Sequence, residues 1–211
     1  MITEQKGGIA YSFDVDDVLI DRGGISRGLG LISGKLKPHR LPTYDVSNLP
    51  LIVREVIDLP LYGVFEKVSF EVHARRKVIS GVKVELETIT TEGIVVYGNT
   101  GRSNKKAWVE MTEQTLQDGE IADYFQNIFY APDGVKTAVS KAVALQTLQT
   151  QYKQVAHFDD DPRTVAYLAS LFPDIKLYLI EYGSTGLLFS RKEMAKFPNI
   201  HRIGVISKTG K

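Results

Sequence analysis

Four aspartates crowd the stretch FDVDDVLID, residues 13 to 21. Carboxylates this close repel one another and are costly to bury without a partner. Asp14 and Asp16 stand two residues apart, so on an extended chain they share a face and can reach one pocket. Three arrangements accept such a group: a solvated turn, a calcium loop, or a pocket in which carboxylates surround a hard cation. Simple exposure is the commonest fate of charged residues. The calcium loop fails, because its sixth position would be Leu19 instead of glycine and its twelfth Ile25 instead of glutamate. The cation pocket needs partners from other strand ends.

Candidate partners follow in order along the chain. QVAHF runs directly into DDDP, so Asp159 and Asp160 project from the end of another apolar strand. Asp161, followed by Pro162 and a helical stretch, reads instead as a helix N-cap with proline in the first position. IVVY leads into GNTGR, where the Thr100 hydroxyl and turn amides can donate to a phosphate oxygen. Lys141 opens the helix that precedes the acidic strand end, a place where the helix dipole disfavours a cation unless an anion is near.

The elements that must carry these residues alternate. Five stretches rich in β-branched and aromatic residues read as strands: 9–15, 94–97, 155–158, 176–180 and 203–206. Several lack in/out alternation, as strands covered on both faces do. Val139, Val143, Leu145, Leu148 and Tyr152 make an apolar helical stripe before the third strand, and Val165, Leu168, Ala169 and Phe172 make one after it. Strand and helix in turn predict an α/β fold, a parallel sheet with helices on both faces. In open sheets of this kind ligands bind beyond the carboxyl ends of the strands, where the aspartates fall.

About 70 residues separate the first strand from the second, far more than a crossover needs. The sequence therefore predicts a core of residues 1–22 and 92–211 with an insertion over 23–91. The part from Gly23 to Leu49 is rich in glycine and proline and reads as loop. The part from Leu51 to Thr91 has roughly helical apolar spacing, which predicts a small, mostly helical cap broken at Pro60, although its valines and isoleucines also suit strands.

Composition narrows the function classes. The 26 Lys and Arg balance 25 Asp and Glu, so no global charge draws the 211-residue chain to nucleic acid or acidic membrane. With no cysteine, disulfides, thiolate metal sites and a cysteine nucleophile are excluded. No run of 18 apolar residues and no signal-like start is present, so the expected location is the cytoplasm. Oligomeric state is not legible.

Taken together, the ordered residues resemble the haloacid dehalogenase-like superfamily, a Rossmann-like group of phosphohydrolases. FDVDDVL is similar to its first motif at Asp14, Asp16 and Val18; Thr100 in NTGR is similar to the second; Lys141 to the third; and Asp159 with Asp160 to the adjacent-acid form of the fourth. The resemblance spans roughly Ile9 to Ile180, and the insertion lies where this superfamily carries its first type of cap. Val18 stands where threonine is commonest, Asn99 competes for part of the role of Thr100, and Lys136 competes with Lys141.

The resemblance implies a Mg²⁺-dependent phosphatase acting on a small phosphorylated metabolite, with nucleotides among the candidates. Asp14 would attack phosphorus and form an aspartyl-phosphate. Asp16 would give a proton to the leaving oxygen and then take one from water. Mg²⁺ would be held by the Asp14 carboxylate, the main-chain carbonyl of Asp16 and Asp160, with Asp159 beside them. Thr100 and Lys141 would bind the transferring oxygens. The alternatives are a phosphatase of nucleic-acid ends and a non-catalytic, metal-binding regulatory protein with the same fold.

Other features have duller explanations. GLGLISGK, 28 to 35, lacks the first glycine and the Ser/Thr of a phosphate-binding loop. His157, inside an apolar strand, reads as a hydrogen-bonded core residue. Arg75, Arg76 and Lys77 read as a solvated basic face, or as a patch steering anions. Trp108 and Tyr124 read as packing anchors.

Overall fold

The structure, a computed structural model, describes residues 6–21, 70, 73–74, 76–181 and 196–204. Most of the expected insertion, including its loop, the break at Pro60 and the glycine-rich stretch at 28 to 35, lies outside these residues, as does Arg75.

The described chain runs β1 (Lys6–Phe13), α1 (Val82–Thr91), β2 (Val95–Ser103), α2 (Lys106–Asp118), a 3₁₀ turn (Ala122–Tyr124), β3 (Phe125–Ala131), α3 (Thr137–Gln151), β4 (Tyr152–Asp159), α4 (Pro162–Leu171), β5 (Lys176–Glu181) and β6 (Ile200–Gly204). The strands form one six-stranded sheet in the order β3-β2-β1-β4-β5-β6, every neighbour parallel. β1 is thus central, and the order reverses beside it, with β2 on one side and β4 on the other. Such a switch point opens a crevice at the carboxyl ends of the strands.

Helices cover both faces, and each face has its own core. Ala10 of β1 belongs to a cluster with Leu145 and Leu148 of α3, Val165 and Leu168 of α4, and Leu177 of β5. Phe13 of β1 belongs to another, with Leu86 of α1, Val96 of β2 and Leu116 of α2. Alternation along β1 sends these residues to opposite sides, and each fully buried leucine contributes about 1.5–3 kcal/mol. α1 comes from the end of the stretch expected to be an insertion, yet Leu86 is buried on the sheet. No helix among the described residues is long and apolar enough to cross a membrane.

Some elements depart from expectation. β2 continues six residues beyond Tyr97, through Asn99, Thr100 and Arg102, to Ser103. β3 was not predicted: its polar Gln126 and Asn127 are exposed at the sheet edge, where a strand need not be apolar. α2 was likewise unassigned, although Trp108, read as an anchor, does pack there edge-on against Phe70 at 5.3 Å. Tyr152 starts β4 instead of ending the preceding helix, its hydroxyl bonded to that of Tyr97 at 2.8 Å. The last strand begins at Ile200, earlier than expected.

Candidate active site

Parallel pairing assembles the acidic residues. Phe13 is in register with Phe158 of β4 and with Gly98 of β2, so the next residues, Asp14, Asp159 and Asn99, lie side by side across the ends of three strands. The Asp14 N–H donates to the Phe158 carbonyl at 2.8 Å, continuing the ladder one step past β1. The chain then turns sharply. Ile20 N–H returns to Val15 O at 2.8 Å, and Asp17 takes a left-handed φ of 61° to allow it.

Lys141 sits at the centre of the charged group. It is not at the start of α3, as expected, but in its second turn, on the face toward the sheet and 1% exposed. Its ammonium lies 2.7 Å from Asp159 Oδ2 and 3.0 Å from Asp14 Oδ2. Asn99 Nδ2 donates to the Lys141 carbonyl at 3.3 Å, holding the backbone from the β2 side. Lys136, the competing lysine, is the N-cap residue of the same helix.

Charge and burial act together here. Burial pushes the Asp14 carboxyl up to about 7; Lys141 pulls it down, while Asp159 and Asp16 add to the rise. Asp159 is equally buried, but Lys141 and His157 outweigh burial and hold it below the usual carboxylate range. Lys141 is raised, because Asp14 and Asp159 overcome the cost of burying its charge.

Asp14, Asp159 and Asp160 each place a carboxylate oxygen within 4.8 Å of the others. Three buried carboxylates with oxygen-only donors suit a hard divalent cation, which would offset both the burial of their charge and their mutual repulsion. Both oxygens of Asp159 already accept hydrogen bonds: Oδ2 from Lys141, and Oδ1 from the Asp161 N–H at 2.9 Å. Asp161 caps α4 as its sequence implies, accepting from Arg163 N–H at 3.1 Å with Pro162 in the first turn.

Asp16 is arranged differently from the other acids. Arg102 Nε and a terminal nitrogen of the same guanidinium donate to its two oxygens at 3.1 and 2.8 Å, and Arg76 donates to Oδ1 at 2.7 Å. Arg76 therefore has neither of its expected roles, a solvated face or an open steering patch; it is buried in an ion pair. Thr100 is fully buried on β2, and its Oγ1 accepts from the Arg102 N–H at 3.1 Å, leaving its own proton to donate. Arg102 was passed over in the sequence, where its position two residues after Thr100, on the same strand face, was the available signal.

No protein-family model matches the chain, and no curated protein sequence matches it. Solved structures do. A predicted phosphatase from Clostridium acetobutylicum is 16% identical, with a TM-score of 0.58 over 94% of this chain and 94% of its own. A protein assigned as a β-phosphoglucomutase from Thermotoga maritima is 20% identical, with a TM-score of 0.55 over 93% of each chain. A haloacid dehalogenase-like family hydrolase from Streptococcus pneumoniae is 15% identical, with a TM-score of 0.52 over 92% of each. The chain has the haloacid dehalogenase-like fold, an α/β sheet with a buried acidic cluster at the carboxyl ends of its central strands.

Proposed function

We propose that this chain is a Mg²⁺-dependent phosphohydrolase that cleaves small phosphorylated metabolites through a phosphoryl group carried on Asp14. The observation that carries the reading is the contact of Asp14 with Lys141, at 3.0 Å, beside two further buried aspartates at the strand ends. A carboxylate paired with an ammonium is held in one orientation and can attack phosphorus. The same ammonium lies where it can bind an oxygen of the transferring group, and Thr100 has a hydroxyl proton for another.

Asp14, Asp160 and the main-chain carbonyl of Asp16 would hold Mg²⁺, with Asp159 bordering the same space. When bound, the ion supplies positive charge that offsets repulsion between the phosphate dianion and the carboxylates. Asp16 moves the proton at the leaving oxygen. Both its oxygens accept from guanidinium groups, which hold the carboxylate in one orientation. The clamp from Arg102 and Arg76 thus fixes where proton transfer takes place.

The test is hydrolysis of p-nitrophenyl phosphate with and without Mg²⁺, by wild type and by Asp14→Asn. Activity that needs both the metal and Asp14 supports the reading. Wild-type turnover by Asp14→Asn overturns it. Mg²⁺ that stabilises the protein with no hydrolysis of any phosphate ester points to the regulatory alternative.

A further inference from the structure

We infer that His157, together with Ser12, is a positioning residue that sets the orientation of Asp159 and, through it, of Lys141. The inference rests on the reading of the site as phosphoryl-transferring. Ser12 and His157 are paired in register across β1 and β4, and both are fully buried. His157 Nδ1 lies 3.0 Å from the Ser12 carbonyl oxygen and 3.1 Å from Ser12 Oγ. Its other nitrogen, Nε2, lies 3.2 Å from Asp159 Oδ2. Residues 157 and 159 share a face of β4, which brings the ring alongside the carboxylate.

The direction of this last bond follows from its partners. Asp159 is held as a carboxylate by Lys141 at 2.7 Å, and a carboxylate only accepts. Nε2 must then donate, and in the neutral ring Nδ1 accepts from the Ser12 hydroxyl, not from its carbonyl, which has no proton to give. Asp159 Oδ2 receives two donors, Lys141 and His157, and Oδ1 receives the Asp161 N–H. Three directed bonds leave the carboxylate one orientation, and Lys141 is drawn to the side where Asp14 lies. Without His157, Asp159 could rotate, and the ammonium would follow it away from Asp14 Oδ2. A histidine needed for packing alone would require only its volume and its bond to Ser12.

Two conservative variants separate these roles, because an asparagine amide reaches the position of Nδ1 and a glutamine amide reaches that of Nε2. His157→Gln should keep kcat for p-nitrophenyl phosphate within about threefold. His157→Asn should lower kcat by about 10- to 100-fold, the usual loss when a residue that orients a site ligand is removed, with KM little changed. Ser12→Ala should produce a smaller loss in the same direction. Equal activity of His157→Asn and His157→Gln, or losses that simply follow the melting temperatures, would overturn the inference.

A second readout needs no turnover. The slowly exchanging ¹H–¹⁵N signal of the Lys141 ammonium should be present in wild type and His157→Gln and broadened away in His157→Asn; an unchanged signal in His157→Asn overturns the inference. A wild type that hydrolyses nothing would count against the phosphatase reading, while the ammonium signal still decides the role of His157.

Discussion

The Arg102 guanidinium and the Asp16 carboxylate meet in a two-pronged ion pair, with side chains 2% and 12% exposed. Its members are 86 residues apart in sequence and are joined by Arg76, which comes from the end of the long segment between β1 and α1. Arg102 also donates to Thr112 of α2 at 2.9 Å, so the pair ties the β1 turn to a helix on the sheet. Removing one partner of a buried pair leaves the other charge uncompensated, at a cost of about 3–5 kcal/mol. Because Arg76 and Arg102 share this one carboxylate, Asp16→Asn leaves two buried guanidinium groups without it and should lower stability by that order in urea denaturation. Adding Arg102→Met should recover part of the loss, and a double variant no more stable than Asp16→Asn would show that the pair is not the cause.

Cation binding should depend on Asp160 even though Asp160 takes no part in the Lys141 contacts described above. Mg²⁺ at a hundredfold excess over its dissociation constant should stabilise the wild type by about 2.7 kcal/mol. Asp160→Asn should lose most of that gain, and Asp118→Asn, at the exposed end of α2, should retain it. Thermal melts with and without the ion read the difference.

The raised carboxyl of Asp14 makes stability depend on pH in a defined direction. Its folded value is about 7 against an ordinary value of 3.8, so across that window the native state holds a proton the unfolded state has lost. Metal-free wild type should lose stability as pH rises from about 4 to about 7, and the full penalty should persist above that. Asp159 has the opposite sign, contributing stability above its unfolded value, but it is present in both proteins being compared. Metal-free Asp14→Asn should thus be more stable than wild type at pH 8 and nearly equal at pH 4, with the gap opening between those values. Equal stability at pH 8 would remove the penalty from Asp14.

Gly101 governs how closely β2 approaches the start of α3. A Cβ there would lie 2.6 Å from both Cγ2 and Oγ1 of Thr137, too near for either to stay in place. Gly101→Ala should destabilise by about 1–3 kcal/mol and lower kcat, because the displaced helix carries Lys141. Trimming the obstacle with Thr137→Gly should restore a large part of both. Loss of stability with kcat unchanged would separate the helix start from the site.

Much of this was legible in the residue order. Runs of β-branched and aromatic residues alternating with apolar helical stripes specified a parallel α/β sheet, because each covered strand and each helix must bury an apolar surface whatever its neighbours are. The aspartates were equally visible: charge concentrated at apolar strand ends is costly without a partner, and parallel strands point those ends the same way. β3 escaped notice because an edge strand tolerates polar residues such as Gln126 and Asn127, which blur the pattern.

Partner choice was not legible in this way. Nothing local distinguishes Asp16, clamped by Arg76 and Arg102, from Asp14, facing Lys141; that division depends on which side chains arrive from β2, from α3 and from the segment before α1. Nor does the strand around His157 reveal that its ring is bonded to Ser12 on one side and Asp159 on the other. Apolar periodicity is written along the chain in every few residues, whereas a directed hydrogen bond or ion pair between distant residues exists only once sheet register and helix placement bring its two atoms within about 3 Å.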